Sequence, residues 1–145
     1  MLTLEGFDPE KVESMVSLVR ENFKKDYSKD LFFQMASLFP DKFITVMDDG
    51  VLIGFLMGAL TSPKEARILI FVVDKNHRNM GIGTKMLSTF IEKSRAKEIE
   101  KIRLEVKTTN ENAIKFYKKF GFRVVKVLPR YYRDHSNGYM MYLDL

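Results

Sequence analysis

The stretch Arg78-Asn79-Met80-Gly81-Ile82-Gly83 joins an apolar run, Ile68 to Val73 closed by Asp74, to residues with helical spacing. Six apolar residues rich in β-branched types are too few for a helix and predict a strand buried on both faces. Glycines in the connection let main chain approach a ligand closely, and the first amides of the following helix have no intrahelical acceptors. Strand, glycine turn and helix N-terminus in that order suit phosphate oxygens. A Walker loop needs four residues between its first glycine and a Gly-Lys pair, and a dinucleotide fingerprint needs a third glycine where this chain has Met86. Neither fits. A tight strand-to-helix connection without a ligand explains the same residues and stands beside the anion site.

The rest of the composition narrows the chemistry. With no cysteine, the chain has no disulfide, no thiolate metal ligand and no cysteine nucleophile. His77 and His135 lie far apart without carboxylates at ligand spacing, so no metal is inferred. Residues 1 to 72 sum to −3 and residues 73 to 145 to +8, giving the net +5. An anionic ligand is drawn to the half that holds the glycine loop. For most of Lys93, Lys97, Lys101, Lys118 and Lys119 the plainer role, solvating helix faces and strand ends, is preferred. No basic stretch is interleaved with aromatics outside the core pattern, and no nucleic acid is expected as a partner. Met1 to Gly6 lack the basic start and long apolar core of a signal peptide. Val51 to Leu60 is glycine-broken and too short to span a bilayer. A cytoplasmic chain with no membrane partner is expected, folded as one domain over residues 1–145. The sequence does not choose between monomer and homodimer.

The elements that must position the loop follow from spacing. Leu2, Leu4 and Phe7 predict a short first strand, and Asp8-Pro9-Glu10 opens a helix over about 9 to 23. Leu31 to Phe39 predict a second helix that ends near Pro40. Phe43 to Met47 and Val51 to Leu60 flank Asp48-Asp49-Gly50, a hairpin signal; Gly54 and Gly58 thin the second strand where a helix is expected to pack. After the loop, Ile82, Met86, Leu87, Phe90 and Ile91 stripe a helix to about Lys97. Ile102, Leu104 and Val106 alternate with Arg103, Glu105 and Lys107 as a strand with one polar face. Asn110 caps another helix that Gly121 ends, and Phe122 to Leu128 and Tyr139 to Leu145 form the last strands around a loop from Pro129 to Gly138.

Two motifs in register carry a family resemblance. Arg78-x-x-Gly81-x-Gly83, followed by Asn110-x-x-Ala113-x-x-x-Tyr117 and Gly121-Phe122, resembles the GCN5-related N-acetyltransferases, and the element order is similar over essentially the whole length. The resemblance implies an α/β (α+β) fold with a mixed, mostly antiparallel sheet, splayed between its fourth and fifth strands and flanked by about four helices. It implies acetyl-CoA as co-substrate and no metal. Main chain of Phe71, Val72 and Val73 matches the pantetheine-pairing strand. Residues Arg78, Asn79, Met80, Gly81, Ile82, Gly83 and Thr84 match the pyrophosphate loop, and Asn110 the cofactor-contacting asparagine, a role its helix cap leaves open.

The resemblance also assigns catalytic parts. On pattern alone Glu105 is a cross-strand ion-pair partner; by resemblance to the ribosomal-protein N-terminal acetyltransferases it is the general base. Tyr117, by spacing a packed helix tyrosine, matches the general acid that protonates departing CoA. Arg130-Tyr131-Tyr132-Arg133-Asp134, with Tyr139 following, resembles the tyrosine-lined loop that covers the acceptor peptide in protein N-terminal acetyltransferases. His135, Asn137 and Gly138 depart from that pattern. Tyr27 and Phe32 are candidates for the opposite wall. The function implied is acetyl transfer to the N-terminal α-amine of a protein or peptide. Lysine or small-amine acetylation, and a non-catalytic acyl-CoA sensor, are the alternatives.

Overall fold

In the computed structural model, which describes residues 1–145, Asp8 turns the chain from strand to helix. Its carboxylate accepts the Glu10 N–H at 2.9 Å, and the turn Pro9–Lys11 leads from β1 (Leu2–Glu5) into α1 (Val12–Phe23). Then come α2 (Lys29–Leu38), β2 (Phe43–Asp48), β3 (Val51–Ser62) and β4 (Glu65–Val73). Asp49 (φ 48°) and Gly50 (φ 83°) make the β2–β3 turn, both with the positive φ that matches strand twist. The chain continues through α3 (Ile82–Ala96), β5 (Lys101–Lys107), α4 (Glu111–Lys119), β6 (Arg123–Leu128) and β7 (Gly138–Asp144).

The strands order as β1-β2-β3-β4-β5-β7-β6. Ladders β1–β2, β2–β3, β5–β7 and β6–β7 are antiparallel, and β4–β5 is parallel. The parallel ladder holds only Glu65↔Lys101, Ala66↔Ile102 and Arg67↔Arg103, whereas both strands continue beyond it. This is the mixed, mostly antiparallel sheet with four helices that the resemblance implies. No helix is long and apolar enough to cross a membrane.

Two compact units share the chain: Met1–Ala59 with Leu69–Lys93, and Leu60–Ile68 with Ser94–Leu145. In the first, Met15 and Val19 of α1 and Phe32 of α2 are buried with Phe43, Phe55, Ile70 and Val72. In the second, Ile102, Leu104 and Val106 are buried while Arg103, Glu105 and Lys107 alternate with them. Burying each of Ile102 and Leu104 contributes about 1.5–3 kcal/mol. A one-residue slip would carry Arg103 and Glu105 into that core, so the apolar pattern fixes the register of the polar face.

Two expectations are corrected. The strand begins at Glu65, not Ile68, and it is not buried on both faces: Ile68, Ile70 and Val72 are buried, but Leu69 is exposed and Phe71 and Val73 are half-buried. An unbroken apolar run reports hydrophobicity, not which face is covered. At Gly54 the close neighbour is mainly strand: a Cβ there would lie 3.0 Å from the Val72 carbonyl oxygen, and 3.4 Å from Met86 Cε of α3.

Candidate active site

The glycine loop lies in the first unit. Beyond Val73, the Asp74 N–H donates to the Ile53 carbonyl at 2.7 Å, and His77 Nδ1 lies 3.0 Å from Asp74 Oδ2. Arg78 Nε donates to the Val73 carbonyl at 3.3 Å, and its Nη2 donates to Asn22 Oδ1 of α1. Two of its donors thus brace the loop against a strand end and a helix. Asn79 (φ 62°) and Gly81 (φ 77°) turn the main chain through the left-handed region. A Cβ on Gly81 would meet nothing within 4 Å, so the backbone angle, not space, calls for glycine there. The Lys85 N–H closes onto the Gly81 carbonyl at 3.0 Å. The amides of Ile82, Gly83 and Thr84 precede that bond, in the position that suits an anion. Met80 and Thr84 are exposed, Gly83 half-buried and Ile82 buried.

Tyr27 and Phe32 also belong to this unit. Phe32 has no accessible surface; its ring packs edge-on against Phe55 at 5.9 Å and Tyr27 at 6.5 Å. Phe32 is therefore a core residue rather than a wall for an acceptor, because the apolar face of α2 turns it inward. Tyr27 is half-buried against the same core.

The second unit gathers Glu105, Arg103, Arg67, Tyr131 and Tyr132. The Glu105 side chain is only 6% exposed. Its Oε1 accepts from Arg103 Nε at 3.0 Å and Nη2 at 2.8 Å, and lies 3.0 Å from Arg67 Nη2. Its Oε2 accepts from Arg67 Nε at 3.3 Å. The ion pair expected on pattern alone is present with two partners, and one lone-pair direction of Oε2 is left for another donor. Arg67 Nη2 also donates to the Tyr131 hydroxyl at 3.2 Å.

The tyrosine loop is held at both ends. Tyr131 and Tyr132 meet edge to face at 5.0 Å, and a Cβ on Gly138 would lie 3.2 Å from the Tyr132 ring. Lys107 Nζ lies 5.3 Å from the centre of that ring and donates to Asp134 Oδ2 at 3.0 Å. The Ser136 hydroxyl and amide, with Lys107, hold the Asp134 carboxyl well below the usual carboxylate range. His135 takes φ 65°, a left-handed turn, at the position where the resembling pattern has glycine. Burial, with the charges of Tyr131 and Glu105, pushes the Tyr132 hydroxyl up to about 12. Tyr139 is half-buried on β7, opposite Val106 and Val127.

Tyr117 projects from α4 with its ring edge-on to Phe116 at 5.5 Å and Phe122 at 5.6 Å. Burial, then the Tyr132 charge, raises its hydroxyl above the ordinary tyrosine range. The helix ends as expected: the Phe122 N–H reaches the Tyr117 carbonyl at 3.2 Å, the Gly121 N–H reaches that of Lys118 at 3.0 Å, and Gly121 has φ 101°. At the other end Asn110 Oδ1 accepts the Ala113 N–H at 3.3 Å. Replacing Asn110 by alanine should cost roughly 0.5–2 kcal/mol of stability, read as a lower Tm without ligand. An unchanged Tm would leave the asparagine no capping role.

Arg67 is the member of this cluster that sequence reasoning gave no role. Its signal was faint: Arg103 and Glu105 share a strand face two residues apart, but nothing local places Arg67 in register with Arg103.

The chain belongs to the acetyltransferase (GNAT) family, whose model matches residues 12–122. The crystal structure of Ard1 from Thermoplasma volcanium superposes with a TM-score of 0.95 at 35% identity, covering 99% of this chain and 97% of that one. An N-alpha-acetyltransferase of Sulfurisphaera tokodaii is 28% identical over 90% of this chain and 85% of its own length. Naa20 of Chaetomium thermophilum, solved with a bisubstrate analogue, is 27% identical with a TM-score of 0.88, covering 99% and 86% of the two chains.

Proposed function

We propose that this enzyme transfers an acetyl group from acetyl-CoA directly to the N-terminal α-amine of a protein or peptide. The observation that carries this is the environment of Glu105: a carboxylate clamped by Arg67 and Arg103 and tied through Arg67 to the tyrosine loop. Acetyl-CoA supplies an activated acyl carbon and a thiolate leaving group. The loop amides from Asn79 to Thr84 fit its phosphate oxygens, and main chain of Phe71 to Val73 lines its pantetheine. In transfer, a new N–C bond forms as the C–S bond breaks. Glu105 takes the proton released by the amine nitrogen, and Tyr117 donates its O–H to the departing thiolate sulfur as a hydrogen bond. An α-amine with a pKa near 8 is already partly deprotonated at neutral pH, so the base need not be strong.

Charge favours a peptide over a polyamine. Arg67 and Arg103 both pair with Glu105, and Lys107, two residues further along β5, engages the Asp134 carboxylate. A second ammonium on the acceptor would meet these cations without a free carboxylate to pair with. Tyr131 and Tyr132 instead offer flat apolar faces with hydroxyls suited to peptide main chain. Mass gain should be measured on peptides varied at their first two residues, with blocked N-termini, internal lysines and spermidine as controls. One acetyl group on free N-termini only is the expected result. Gain confined to lysine or spermidine overturns the proposal.

A further inference from the structure

We infer that Arg67 is a positioning residue that couples the tyrosine loop to the orientation of Glu105. The inference deepens the proposed function and rests on it for the role of Glu105. Three contacts carry it. Arg67 Nη2 sits 3.0 Å from Glu105 Oε1 and 3.2 Å from the Tyr131 hydroxyl, while Nε donates to Glu105 Oε2 at 3.3 Å. Both Arg103 bonds fall on Oε1. Arg103 therefore holds one oxygen of the carboxylate, and Arg67 sets where the second one points. Oε2 retains a lone-pair direction and is the oxygen suited to an acceptor proton.

The guanidinium is a rigid planar fork, so its two ends cannot move independently. Rotating the Glu105 carboxylate breaks the Nε–Oε2 bond or swings Nη2 away from Tyr131. Displacing Tyr131 has the reverse effect on Oε2. The ends of the linkage differ in exposure: Tyr131 is 43% exposed, whereas the Glu105 side chain is 6% exposed. Contact with an acceptor at the exposed tyrosine is thus transmitted to an oxygen that solvent barely reaches. Register with Arg103 across the β4–β5 ladder fixes the Arg67 main chain. A lysine at this position has the charge, but its donors radiate from one nitrogen and lack the fixed planar spacing by which Nε and Nη2 engage Glu105 and Tyr131 together.

The test is a double-mutant cycle on steady-state peptide acetylation with Arg67→Lys and Tyr131→Phe, alongside hydrogen exchange of residues 129–137. Tyr131→Phe should raise the peptide KM about tenfold, the scale of a lost hydrogen bond to a charged group, and lower kcat several-fold, because Arg67 loses the contact that fixes its hold on Oε2. Arg67→Lys should raise KM similarly and also lower kcat at least tenfold, with acetyl-CoA affinity unchanged. The double variant should match Arg67→Lys within about twofold, since residues in one network are non-additive. Exchange over 129–137 should speed up in both single variants. Additive effects, or unaltered exchange in Arg67→Lys, overturn the coupling whatever acceptor the enzyme uses. Should the wild type acetylate only a non-peptide amine, a non-additive cycle on that amine with faster exchange would support the coupling while overturning the proposed acceptor.

Discussion

Glu105→Gln should lower kcat for a free N-terminal peptide by roughly 10²- to 10⁴-fold, the range for loss of a positioned acid or base, with acetyl-CoA affinity unchanged. The glutamine keeps one acceptor oxygen but turns an NH₂ group toward guanidinium donors, where the carboxylate accepted from Arg103 and Arg67. The variant therefore disturbs the clamp as well as removing the proton acceptor, and a rate loss alone does not separate the two. Added small anions separate them. With Glu105→Ala, rescue by small anions that grows with their basicity, formate and acetate over chloride and nitrate, reports proton acceptance. Equal rescue by anions of any basicity reports only an anchor for the arginines. The acid limb of kcat/KM near pH 8 belongs to the acceptor amine and should persist in every variant. An unchanged kcat in Glu105→Gln would remove the residue from the mechanism.

Legibility in the sequence followed the distance over which each feature is specified. The β2–β3 hairpin was readable from Asp49-Gly50, and the end of α4 from Gly121, because a positive φ is a local demand that the residue itself announces. The polar face of β5 was readable from alternation. What Glu105 pairs with was readable only in part: Arg103 is two residues away, but Arg67 is 38 positions away on a parallel strand, a pairing without a turn signature. The Arg67–Tyr131 contact spans 64 positions. Likewise β4 looked shorter than it is because Glu65, Ala66 and Arg67 do not extend the apolar run; pairing with β5 makes them strand. Phe32 shows the converse limit. Aromatic density on α2 was compatible with a ligand wall, and only packing against Phe55 distinguishes core from surface.

Tyr117→Phe should lower kcat with acetyl-CoA by roughly 10²- to 10⁴-fold while leaving the fold intact. One oxygen is removed, and the ring contacts with Phe116 and Phe122 remain available to phenylalanine. The raised pKa of the hydroxyl, caused first by burial, keeps it protonated through neutral and alkaline pH. Wild-type kcat should therefore show no falling limb at the ordinary tyrosine pKa of about 10. A tyrosine hydroxyl, ordinarily near about 10, is already a weaker acid than a thiol near about 8.5, and the shift widens the gap, so Tyr117 stabilises the departing sulfur by hydrogen bonding as the C–S bond breaks. Its contribution must then depend on how much the leaving group needs a proton. Acetyl transfer from a thioester of an electron-poor aromatic thiol, whose thiolate departs unaided, should show a Tyr117→Phe deficit of only a few-fold against about 10² or more with acetyl-CoA. Equal deficits with the two donors would mean that the hydroxyl shapes the site without serving the leaving group, and a lowered Tm would assign it to packing.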